Sequence, residues 1–317
     1  MTPLPILHLV YNRTDTTQRV FEAIRRARPA RLYVAGDGPR ADLPGDVEAV
    51  ERVRAIVQQV DWDCELRTSF SDENQGCRIA VSGAIDWFFE NEEMGIILED
   101  DCIPDPSFFP FCETLLARHR DDARIMMISG NNFQSVPNPV PRPFGPGRGV
   151  AARSSYYYSR HTHIWGWATW RRAWQHYDVG MRLWLEVSDS GWLEQMVDRP
   201  SKVKYWRHTF AQVHAGRVDT WDTQWLFACW IQSRLWIIPQ VNLVTNIGFS
   251  HARATHTILA SPFAEVPAES ISFPLEHPPF VICNRTADRH DDDLMSHPLQ
   301  LLRNRVRYRV AKLRGRG

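Results

Sequence analysis

Short apolar runs punctuate the first 135 residues, and a stretch with helical spacing follows each of them. The runs lie at 6–10, 32–35, 64–70, 95–98 and 125–128, and the helical segments at 16–28, 47–59, 76–91 and 107–119. In the first helical segment Val20, Ile24 and Ala27 share one face, behind Thr14 and Asp15 as the expected cap. Apolar runs that do not alternate with polar residues mark strands buried on both faces. With helices between them, they predict an α/β fold: a doubly wound, mostly parallel sheet with helices on both faces. Right-handed crossovers would then bring the ligand-binding strand ends to one edge.

The pattern breaks at 134–150, where Pro and Gly crowd a segment that suits neither helix nor strand. This loop separates a first region, 1–135, from a second, 151–290, in which aromatic residues dominate. Eleven of the 13 tryptophans fall between Trp165 and Trp236, which predicts a separate functional region rather than more of the same sheet. A basic tail, 291–317, completes the chain. Within it Leu299, Leu302, Val306, Val310 and Leu313 form an apolar stripe among Arg and Lys. That is the pattern of an interfacial helix and predicts peripheral membrane contact, with a solvated tail as the alternative.

Charge changes the picture little. Lys plus Arg and Asp plus Glu each total 37, so nothing points to nucleic acid as a partner. The six cysteines form no C-x-x-C pair and read as reduced, mostly buried thiols. No run approaches the roughly 18 apolar residues of a membrane span, and the chain opens directly on a strand pattern. The expectation is a cytoplasmic protein, with the tail at the inner membrane face.

Candidate chemistry concentrates at the predicted strand ends. Glu99, Asp100 and Asp101 follow a buried strand in direct succession. Three adjacent carboxylates repel one another, and Mn²⁺ or Mg²⁺ resolves that conflict by taking carboxylate oxygens while leaving positions for phosphate. A solvated acidic turn is the alternative. Asn12 and Arg13 close the first strand at the same edge, where Arg13 could pair bidentately with phosphate, with a surface ion pair as the alternative. Asp37 ends the second strand as an acceptor for a nucleotide base or ribose, or as part of a simple turn. Arg78 opens the third helix and could reach a donor. In the aromatic half, Trp167 and Trp221 are candidate acceptor-side rings, although helical spacing around Trp167 points to core packing for most of this group. Asp222 stands among tryptophans as a candidate general base, with helix capping as the alternative. His256, near His251, is a candidate second metal or phosphate contact.

Together these residues resemble the nucleotide-diphospho-sugar transferases of the N-acetylglucosaminyltransferase I type, which adopt the GT-A fold. The resemblance spans about residues 5–257. It rests on Tyr11-Asn12-Arg13, Asp37, the helix at Gly76 and Leu98-Glu99-Asp100-Asp101 with Pro106-Ser-Phe-Phe109 behind it. Gly166-Trp167, Trp221-Asp222 and Gly248-Phe249 extend it. The resemblance implies Arg13 and Asp37 on the nucleotide, Asp100 near the donor ribose or sugar, and Asp101 on Mn²⁺ or Mg²⁺. It also implies Asp222 as base, although the family's Trp-Asp-Asp-Trp stretch here reads Trp-Asp-Thr-Gln-Trp. The expected activity is metal-dependent, inverting glycosyl transfer from a nucleotide-sugar, a UDP-sugar first, to a glycan or lipid-linked acceptor. A metal-dependent nucleotidyl or phosphodiester enzyme and a non-catalytic carbohydrate-binding protein are the rival readings.

Overall fold

The computed structural model describes residues 2–136, 154–250, 263–264 and 266–296. The expected elements form in the expected order: β1 (Ile6–Val10), α1 (Thr14–Ala27), β2 (Arg31–Gly36), α2 (Asp46–Val57), β3 (Glu65–Phe70), α3 (Cys77–Asn91) and β4 (Met94–Glu99). A short β5 (Cys102–Pro104), α4 (Phe108–Arg118) and β6 (Ile125–Ser129) follow. The aromatic half contributes β7 (Tyr156–Ser159), β8 (Trp167–Trp170) and three short helices, α5 (Arg171–Trp174), α6 (Trp184–Val187) and α7 (Trp192–Met196). Then come α8 (Pro200–His214), α9 (Asp222–Ile231), β9 (Leu235–Pro239), β10 (Val244–Asn246) and α10 (Arg285–Ser296).

Eight strands build one sheet in the order β3-β2-β1-β4-β8-β6-β9-β7. Strands β1 to β4 run parallel, and β6 and β9 share their direction, whereas β8 and β7 run against them. The architecture is thus α/β and mostly parallel, with helices on both faces. One core packs α1, α2 and α4 on one face through residues such as Val20, Val53 and Leu115. The other packs α3, α8 and α9 through Phe88, Phe210 and Trp225. Among the described residues, no helix is long and apolar enough to cross a membrane.

Two local expectations are corrected. The aromatic half does not stand apart from the sheet, because β8 inserts between β4 and β6 while β9 and β7 extend the far side. The spacing of Trp167 and Trp170, which suits a helix, belongs instead to a strand covered on both faces. Trp167 enters the core with α3 and α9, and Trp170 the opposite core with α4. At α1, Thr14 already lies inside the helix, and Arg13 is the extended N-cap residue with no side-chain cap. Its side chain is drawn elsewhere.

Candidate active site at the carboxyl edge of the sheet

Glu99 ends β4 beside Leu9 of β1, and Asp100 and Asp101 form the turn beyond it. Arg13, just past β1, spans both aspartates. Its Nε lies 3.3 Å from Asp100 Oδ2, its Nη1 lies 2.8 Å from Asp101 Oδ2, and its Nη2 pairs with Asp100 Oδ1. Both carboxylates are buried. The antiparallel pairing of β10 with β5 brings Asn246 opposite Cys102, so Asn246 Nδ2 stands 3.4 Å from Asp101 Oδ1. The Ile247 N–H donates to the Asp101 carbonyl at 2.9 Å. A Cβ on Gly248 would collide with Asp101 Oδ2 and stand 2.8 Å from Arg13 Nη1, so only glycine lets the chain pass here.

Glu99 keeps Oε1 covered and without a hydrogen-bond partner. Burial, then Asp101 and Asp100, push its carboxyl up to about 8 against the pull of Arg13. Among the described residues the crowded carboxylates meet the Arg13 guanidinium, and their mutual repulsion favours the neutral form of Glu99.

The neighbouring strand ends are tied together by Asp46, a fully buried carboxylate at the start of α2. It accepts from Asn12 Nδ2 at 2.6 Å, Tyr11 Oη at 2.8 Å and the Arg40 N–H at 2.9 Å. Although burial opposes its charge, these donors and the Arg40 side chain hold its carboxyl well below the usual range. The amide of Asn12 is therefore committed within the protein. Asp37 is committed too: Oδ1 accepts from Gly38 N at 2.8 Å and Gln75 N at 2.9 Å, and Oδ2 from Asn74 Nδ2 at 2.9 Å and Gly76 N at 3.1 Å. Two donors on each oxygen fill its accepting positions. Here Asp37 anchors the loop into α3.

The start of α3 is held from the other side by Asp219, which accepts from Cys77 N at 2.9 Å and Arg78 N at 3.0 Å. Gly76, at φ +80°, makes room for it, since a Cβ there would stand 2.8 Å from Asp219 Oδ2. Arg78 thus lies in the first turn of α3, with its Nε buried and lacking a hydrogen-bond partner. Asp222 begins α9, where Oδ1 accepts from Thr223 N at 2.7 Å and from Thr220 Oγ1. The N-cap of α9 is Trp221 and no side chain caps the helix, so these contacts are local. The Asp222 charge adds a little to the upward push on Glu99. Burial, then the charges of Glu99, Asp219, Asp222 and Asp37, push the Cys77 thiol far up.

Trp167 and Trp221 do not present ring faces to an acceptor. Both are buried, stacked with centroids 5.6 Å apart and planes 17° apart. They are the packing that seats α9, because their large apolar surfaces gain more from the core than from water. His256, with the segment around it, lies outside the described residues, as do the stretch 137–153 and the tail from 297 onward, while 291–296 belong to α10.

Asp46, Asp219 and Asn246 are the supporting residues that sequence reasoning missed. Asp46 carried a faint signal, an acid just after Pro44-Gly45 at a helix start. Asp219 carried none, since its partner Arg78 is 141 residues away.

Among the described residues, no group of three or more His, Cys, Asp or Glu side chains is arranged to hold a metal ion. Mg²⁺ needs no such cage, because it commonly takes one or two carboxylates and completes its shell with water and phosphate. Asp101 and Glu99 offer hard oxygen donors of this kind, and the unpartnered Glu99 Oε1 matches a cation in place of a proton.

No protein-family profile matches the sequence, and no curated protein matches it. Among solved structures, HddC from Yersinia pseudotuberculosis complexed with GMP-PN aligns at 11% identity and TM-score 0.29, over 40% of this chain and 58% of its own. The chain therefore spans little more than half of that protein. Apo UDP-glucose pyrophosphorylase aligns at 10% identity and TM-score 0.36, over 76% of this chain and 90% of its own. Mouse xyloside xylosyltransferase 1 aligns at 9% identity and TM-score 0.32, over 71% and 81% respectively.

Proposed function

We propose that this chain is a GT-A glycosyltransferase that takes a sugar from a nucleoside-diphosphate donor and passes it, with inversion, to a hydroxyl acceptor. The supporting observation is the triplet Glu99-Asp100-Asp101 at the carboxyl end of β4, braced by Arg13. Mn²⁺ or Mg²⁺ held by Asp101, with Glu99 beside it, would supply charge neutralisation at the departing diphosphate. A guanidinium has five N–H donors, and Arg13 spends three on Asp100 and Asp101. Two remain for phosphate oxygens, and the two carboxylates fix the plane in which they point. Asp222 has Oδ1 engaged by Thr220 and Thr223. Its Oδ2 is left to accept the acceptor hydroxyl proton as that oxygen attacks the anomeric carbon.

The test compares wild type, Asp101→Ala and Asp222→Asn. UDP, GDP, CMP and dTDP are titrated calorimetrically with and without Mn²⁺, and turnover is followed with the matching sugar nucleotide. Asp101→Ala should abolish the Mn²⁺-dependent binding while the protein stays folded, since Arg13 retains Asp100. Asp222→Asn should keep that binding and lower kcat by about 10²–10⁴-fold. A wild type that binds no nucleoside diphosphate with Mn²⁺ removes the proposal, and a retained anomer in the product removes the inverting mechanism.

A further inference from the structure

Ten of the 13 tryptophans are buried, and three are half-buried: Trp87, Trp165 and Trp192. Trp87 lies on α3 against Tyr33, at a centroid distance of 5.2 Å. Trp192 lies on α7 against Phe227 at 5.6 Å. Trp165 differs in position. It packs edge-on against Phe249, with centroids 5.4 Å apart and planes 75° apart. Phe249 follows Gly248, the glycine that abuts Asp101 and Arg13. Trp165 therefore contacts the residue that follows the glycine abutting Asp101 and Arg13.

The ring is also held in place. Trp165 N donates to Asn131 Oδ1 at 3.0 Å, and Phe133 packs on the indole at 4.9 Å and 83°. Phe133 is itself held against His163 at 4.7 Å. The indole N–H of Trp165 donates to no group among the described residues, whereas those of Trp170, Trp174 and Trp230 are bonded within the protein. A rigid, partly exposed indole with a spare donor suits a pyranose. Its electron-rich face meets the sugar C–H face, and its N–H meets a hydroxyl.

We infer that Trp165, and not Trp167 or Trp221, is the stacking residue for a sugar ring of the acceptor. This rests on the glycosyltransferase reading above and names the acceptor class as a glycan. The probe is a printed array of neutral and amino-sugar oligosaccharides, with calorimetry on the best-bound member, for wild type, Trp165→Ala, Trp165→Phe and Trp192→Ala. Trp165→Ala should weaken glycan binding about tenfold or more, and Trp165→Phe should recover most of it, because it restores an aromatic face. Trp192→Ala should bind like wild type. No glycan bound by wild type, equal binding by Trp165→Ala, or an equal loss in Trp192→Ala each overturns the assignment. UDP titrated with Mn²⁺ on the same samples tests the donor half separately, so retained UDP binding without Trp165-dependent glycan binding sinks this inference alone.

Discussion

His8 occupies the middle of β1, paired with Val34 on one side and Leu98 on the other, and is wholly buried. Neither ring nitrogen has a hydrogen-bond partner, and burial pulls the imidazole down to about 3. The folded protein therefore refuses a proton that the unfolded chain, with an ordinary value of 6.5, accepts. Stability is unaffected above that value and falls as pH drops below it, by about 1.4 kcal/mol per pH unit until about 3 is approached. His8→Leu should stabilise the protein by about 1–3 kcal/mol at pH 7, since it removes unsatisfied buried polar atoms. It should also flatten the acid slope, and urea unfolding at pH 7 and pH 5 measures both. Equal slopes in the two proteins would show that His8 is not the acid-sensitive group. At this scale the sequence was most legible where chemistry is self-announcing. Three adjacent acids after an apolar strand point to a charged centre in any fold, and Arg13 stands at the matching strand end. It was least legible for Asn12 and Asp37, whose partners Asp46 and the 74–76 loop come from other elements.

Asp219 ties the start of α3 to the segment that leads into α9. It lies in the loop just before α9 and accepts both leading amides of α3. A carboxylate at a helix N-terminus gains from the helix dipole as well as from the hydrogen bonds. Asp219 is exposed, so its contribution belongs to the modest range. We expect Asp219→Ala to cost about 1 kcal/mol and to speed amide exchange at Cys77 and Arg78 about tenfold. Asp219→Asn, which keeps one acceptor oxygen, should show roughly half of the loss in free energy. Hydrogen–deuterium exchange on peptides covering 74–80 reads the outcome, and unchanged protection in the alanine variant would dismiss the link. Helices and strands of the first half were legible because each carries its own periodicity. β8 was not: Trp-Ala-Thr-Trp is short, apolar throughout and spaced as a helix would be. Only the empty lane between β4 and β6 makes it a strand.

Across the molecule, α10 packs on the fold with buried charge as well as with Ala287 and Leu294. Asp291 meets His163 at 3.1 Å, Asp292 meets His161 at 3.5 Å, and Asp293 pairs with Arg199 at 2.5 Å. Burial works against the His161 charge, but Asp292, with Asp288 and Asp291 behind it, prevails and lifts the imidazole to about 9. A raised histidine contributes stability that is fully present below its ordinary 6.5 and is lost as pH rises through about 9. Thermal unfolding of wild type should therefore weaken between pH 7 and pH 9.5. His161→Gln should be less stable at pH 7 and show little of that decline. A wild-type Tm that does not fall more steeply than the variant's would exclude the His161–Asp292 pair as the cause. By itself the sequence determined the α/β class, the strand order of the first half along the chain, and the acidic centre, because these follow from local periodicity and charge crowding. Only the tertiary structure decided that the aromatic half completes the same sheet, that Trp167 and Trp221 are core, and that Trp165 packs on Phe249. It likewise decided that Asp46 and Asp219 hold the strand and helix ends. Those outcomes depend on which distant segments pack together, and a side chain's exposure or partner is a property of that packing rather than of its neighbours in the chain.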